Sequence, residues 1–156
     1  VTEDDALGRT GLITLGGRAF RVIDFDRRTI PLHLYLETQM RESGADKVLP
    51  GPEEGDESWA LRLRMQLVDS GRAIDLVAGC LVAPEQSERD WSPAVAAATA
   101  AHLRQCDAAE ALETFDQLAL AVALRFFMQA VERLQRFRNS LPAPTPLSPP
   151  QDRRLH

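Results

Sequence analysis

From Asp107 to about Asn139 the chain carries two apolar stripes at helical spacing. Phe115, Leu118, Ala119, Val122 and Phe126 form one stripe, and Leu120, Leu124, Phe127, Val131 and Leu134 form the other. A helix apolar on two sides has to be covered on two sides, so it is central to a bundle or shared with a partner. Asp107-Ala-Ala-Glu110 has the spacing of a capping box and marks its start. Arg133, Arg136 and Arg138 fall in its last turns, where the negative end of the helix dipole favours cations. The rest of the fold has to be arranged around this element.

Shorter helical patterns precede it. Thr29-Ile-Pro31 can open a helix, with Thr as cap and Pro in the first turn. Leu32, Leu36 and Met40 then give an inward stripe with Tyr35 beside it, and Ser43-Gly44 ends the run. Ser58 to Asp69 reads as a second helix, with Trp59, Leu63 and Leu67 on one side and Arg62 and Arg64 toward solvent. After Gly71, the residues Ala73, Ile74, Val77, Cys80 and Leu81 again fall at helical spacing, as one bent helix or two short ones. Ser92-Pro93 caps an Ala-rich helix to about Gln105, and Trp91 just before it is placed for a staple contact near Val95. Between helices, Ala45 to Asp56 and Gln86 to Asp90 read as exposed loops.

The one β signal lies near the start. Leu12-Ile-Thr-Leu15 and Arg18-Ala-Phe-Arg-Val-Ile23 flank Gly16-Gly17, and glycine pairs supply the positive φ values of tight hairpin turns. A lone two-stranded hairpin is marginal in water, so it must lean on the helices or pair with another chain. The expected fold is mainly α: a helical bundle with a small N-terminal β-hairpin and a disordered Pro-rich C-terminal tail. Residues 1–10 are expected to be a flexible N-terminus, 11–139 a single helical domain, and 140–156 the tail. From Leu141 to Pro150 there are five prolines in ten residues, which no packed helix tolerates.

Composition narrows the function. With 156 residues and 44% apolar side chains the chain can bury one real core. Its net charge of −5 disfavours non-specific nucleic-acid binding, which depends on excess cations. The N-terminal residues lack the apolar run of a signal peptide, and Leu118 to Leu124 is too short to span a bilayer, so a soluble intracellular protein is expected. Cys80 and Cys106 are too few for a disulfide framework and read first as small buried hydrophobes.

Catalytic chemistry finds little to stand on, and no catalytic, cofactor or metal residue is assigned. His33 and Glu37, one helical turn apart, suit a weak ion pair. His102 and Cys106 have the same spacing and could both ligate zinc, but a site needs three or four ligands. The acidic loop Glu53-Glu54-Gly55-Asp56-Glu57 departs from the alternating ligands of an EF-hand. No serine carries a nucleophile signature, although a convergent site would need none. Adjacent Phe126 and Phe127 point to different helix sides, so one aromatic side is either core or a partner contact.

The order of elements resembles a known family. Gly11-Leu-Ile-Thr-Leu-Gly-Gly-Arg-Ala-Phe-Arg-Val22 leads into the Pro-started helix at Thr29-Ile-Pro-Leu32. Ala73-Ile-Asp-Leu-Val-Ala-Gly-Cys-Leu81 follows, and Asp107-Ala-Ala-Glu-Ala-Leu112 opens the long helix. As a pattern over residues 11–139 this looks like the tail assembly chaperones of long-tailed bacteriophages. The resemblance implies a non-enzymatic protein of the host cytoplasm that coats the tape measure protein, recruits tail tube subunits and is absent from the mature virion. Many such chaperones have a longer frameshifted form, for which the Pro-rich tail would suit a hinge. Partner binding is then expected on Phe127, Val131, Leu134 and Phe137, with self-association through the hairpin edge or the long helix, and with neither nucleic acid nor membrane as a partner. The competing expectations are a phage head-to-tail connector or adaptor, a small regulatory helical binding protein, and an enzyme without a recognisable motif.

Overall fold

A computed structural model describes residues 12–142; the expected flexible N-terminus and nearly all of the Pro-rich tail lie outside the described residues. The fold is mainly helical with a small antiparallel sheet, as the patterning predicts. Its described elements are β1 (Leu12–Leu15), β2 (Arg18–Val22), α1 (Ile30–Ser43), α2 (Asp56–Ser70), α3 (Ala73–Gly79), β3 (Leu81–Val82), α4 (Pro93–Gln105) and α5 (Ala108–Ser140).

The hairpin forms where the glycine pair places it. Gly16 and Gly17 have φ of 58° and 76°, the double left-handed conformation of a two-residue turn. The register pairs Leu12 with Arg21 and Leu15 with Arg18. A side chain on Gly16 would also collide with Cys106 Sγ, so the turn needs glycine twice over, for conformation and for space.

The segment after α3 departs from the helical reading. Cys80 and Leu81 do not continue the helix. It ends at Gly79, and Leu81 and Val82 become β3 on the free edge of β2, pairing Arg21 with Val82 and Val22 with Leu81. Ile23 N–H donates to Cys80 O at 2.9 Å to extend the ladder. The third strand answers the marginal stability of a two-stranded hairpin, and it buries Leu81 and Val82 almost completely. The α2–α3 region is two separate helices, broken at Gly71 with φ 72°.

Helix starts follow their caps. Thr29 Oγ1 accepts from Leu32 N, Ser92 Oγ from Val95 N, and Asp107 Oδ1 from Ala109 N. A full reciprocal capping box forms at Ser87 and Asp90, inside the stretch read as a plain loop. The α2 helix begins two residues earlier than expected, with Asp56 and Glu57 in its first turn.

Two apolar clusters make the core. One gathers Leu32, Leu36 and Met40 of α1 with Trp59, Leu63 and Leu67 of α2, and Val122, Ala123 and Phe126 of α5. The other gathers Leu15, Phe20 and Val22 of the sheet with Leu81, Ala100, Leu103, Leu118 and Ala119. Phe115 of α5 packs against both. The long helix therefore runs through both clusters, which divide it along its length: Ala111, Leu118 and Ala119 serve the second, and Val122, Ala123 and Phe126 the first, with Leu120, Leu124 and Phe127 partly buried beside them.

Candidate functional site

The burial of α5 changes along its length. Up to Phe126 it is lined by buried Ala111, Leu118, Ala119, Ala121, Val122 and Ala123. Phe126 is itself buried, stacked on the His33 ring with centroids 5.8 Å apart and with the Arg28 guanidinium over its face. Phe127 turns to another side of the helix and meets Trp59 edge-on at 5.2 Å. The two adjacent aromatics thus both pack against the body, on different sides of one helix.

By residue 135 the cover has ended. Residues 135–142 are all exposed. Six of them are helical, more than the 3.6 residues of one turn, so no side of α5 is covered there. Phe137 is 63% and Leu141 52% exposed, one helical turn apart, with the exposed Arg136 and Arg138 on either side of them. Of the four partner-binding residues expected from the sequence, Phe127 packs on the body and Phe137 is open to solvent. The side chains of Val131 and Leu134 lie outside the described residues.

A second apolar surface, absent from the sequence reading, lies on the outside of α2. Leu61, Met65 and Val68 are each more than half exposed and fall at i, i+4 and i+7, opposite the buried Trp59, Leu63 and Leu67. Glu57 stands one turn before Leu61 and Asp69 one turn after Met65, both exposed. The two arginines of this helix are not simply solvated. Arg62 is bound by Glu54, and Arg64 Nη2 reaches Asp116 Oδ2 at 2.7 Å. The Arg62 guanidinium, helped by the Gly51 N–H and Ser58 hydroxyl, pulls the Glu54 carboxyl down to about 2. With its arginines neutralised, the outer face of α2 presents apolar side chains bracketed by two carboxylates.

The His102–Cys106 pair is brought together, but not as a reactive dyad. His102 Nε2 lies 2.9 Å from Leu15 O and 3.7 Å from Cys106 Sγ. A carbonyl oxygen only accepts, so Nε2 carries the ring proton and cannot also take the thiol's proton. The Cys106 thiol donates to His102 O instead, at 3.4 Å. Cys106 borders a cleft of about 170 Å³ lined by Leu15, Ile74, Leu103, Ala111, Leu112 and Phe115 among others. Cys80 is fully enclosed, and burial pushes its thiol well above the ordinary range. His33 does meet Glu37, at 3.3 Å. Among the described residues no three His, Cys, Asp or Glu side chains converge as a metal site, and no helix is long and apolar enough to cross a membrane.

One buried carboxylate serves the architecture. Glu88 accepts from Arg21 Nη1 at 2.7 Å and from Asp24 N at 2.9 Å. Burial pushes its carboxyl upward, but the Asp24 N–H and the Arg21 guanidinium outweigh that and hold it below its usual range. This ties β2 to the loop before α4. Sequence reasoning missed it because the partners are 67 residues apart.

Compared with known proteins, the chain matches no family model, no curated protein and no solved structure.

Proposed function

We propose that this protein is a non-enzymatic assembly chaperone of the long-tailed phage kind, which binds the helices of a tape measure protein and helps recruit tail tube subunits. The observation that carries the reading is the outer end of α5, a helix left uncovered on all sides with Phe137 and Leu141 in solvent. A single exposed apolar residue is ordinary, but a projecting helical end that presents apolar and cationic side chains together is a helix-docking element. The resemblance in element order supplies the identity of the client.

The test is co-expression with a tape measure protein, pull-down, and mass determination of the complex. Many copies along one client chain support the proposal. A closed ring with no affinity for that client would favour a connector instead. Phe137→Asp should weaken client capture while leaving the far-ultraviolet helical signal unchanged, because that side chain is 63% exposed and belongs to neither core cluster.

A further inference from the structure

We infer that the outer end of α5 of one copy docks on the outer face of α2 of another, so that copies of this chain join head to tail. The two surfaces are complementary in chemistry. The α5 end offers Phe137 and Leu141 flanked by Arg136 and Arg138. The α2 face offers Leu61, Met65 and Val68 bracketed by Glu57 and Asp69, with Arg62 and Arg64 already held by Glu54 and Asp116. Each is an apolar row with charge at its margins, and the charges are opposite.

The same opposition runs along residues 12–142. Residues 125–142 carry Arg125, Arg133, Arg136 and Arg138 against Glu132 alone. Residues 12–124 carry eighteen carboxylates against eleven basic groups. The basic end of one copy is therefore attracted by the acidic body of the next, whereas two α5 ends repel each other.

A copy cannot satisfy itself. Trp59 lies against Phe127 and Arg64 against Asp116, so α2 runs antiparallel to α5, away from its outer end. Phe137 is ten residues past Phe127, about 15 Å farther along an unbroken helix in the opposite direction. The stripe on α2 also faces away from its own core. Two different surfaces on one chain make a heterologous contact, which grows into open arrays unless a rotation closes it. The inference does not rest on the client proposed above, although such a contact would shelter Phe137 and Leu141 when no client is present.

The test uses the full chain alone. Sedimentation velocity of the wild type should show species larger than dimer that grow with concentration and shrink with added salt. Met65→Asp and Phe137→Asp each remove one surface, so each alone should associate at least about tenfold more weakly, the usual effect of losing a central apolar contact. Their equimolar mixture should regain association and stop at the dimer, since one intact end meets one intact face. Circular dichroism of each variant confirms the fold. A wild type that stays monomeric at every concentration overturns the inference. So does a mixture that stays monomeric, or a Met65→Asp variant that associates as well as the wild type, the behaviour of an α5–α5 dimer. Client capture by Met65→Asp is a separate readout, so this contact and the chaperone proposal can fail independently.

Discussion

The two halves of α5 share a helix and little else. Its first half, Ala108 to Phe127, is acidic at the start and enclosed by both core clusters, while its last turns are basic and uncovered. Backbone hydrogen bonding is the same in both. Only neighbours differ, so the contrast shows that the helix is held by packing at one end and by propensity and dipole complementarity at the other. Stability resides in the inner half, and any binding role falls to the outer half, where a side chain can change without disturbing the core.

The sharpest way to break this contrast is proline. Ala123→Pro should remove folding altogether, since it takes a backbone bond and a ring clash into the core, at a cost of about 3 kcal/mol or more. Gln135→Pro should leave the thermal midpoint of the body nearly unchanged and lose only the outer turns, visible as a small drop in helical signal. Equal effects on the midpoint would mean that the outer half is part of the folding unit.

Truncation comes next. Phe126→Ala should cost about 3–5 kcal/mol in denaturant unfolding because it leaves a cavity against His33 and Arg28, whereas Phe137→Ala should stay within about 0.5 kcal/mol. Phe127→Ala belongs with the inner class through its contact with Trp59, and should also change tryptophan emission.

Acid sharpens the same division. Glu88 has its folded carboxyl below the unfolded range, so its contribution is fully present above that range and is lost as pH falls through the folded value. The stability gap between wild type and Glu88→Gln, expected to be about 1–3 kcal/mol at neutral pH, should therefore close on acidification. Proton uptake at this site should loosen β2 and the Ser87 loop and leave the outer turns of α5 untouched. The smallest effect is chemical: a thiol reagent should label half-buried Cys106 in the native protein and reach Cys80 only on unfolding.

Much of this architecture was legible as periodicity. The two stripes of α5, the Gly16-Gly17 turn and the caps at Thr29, Ser92 and Asp107 each lie within a few residues of the structure they cause. The third strand was not legible, because Leu81 and Val82 prolong a helical pattern and their partner strand is some sixty residues away. The Ala45–Asp56 segment reads as exposed, yet Ala45 is buried, Val48 O takes the Trp59 indole N–H and Glu54 grips Arg62. In the candidate site, Phe137 could be named from the sequence. The stripe on α2 went unseen because Trp59, Leu63 and Leu67 had already accounted for that helix. A second apolar row means something only once the structure shows that nothing covers it.

The passage of α5 through both clusters also orders events during synthesis. The sheet and the four shorter helices emerge from the ribosome first, but Phe20, Leu36 and Leu63 have no complete surroundings until Phe115 to Phe126 arrive. Domains close as units, so this one stays ajar through most of its translation. The basic outer turns follow within a dozen residues of Phe126, so they leave the ribosome with the last of the core and not ahead of it.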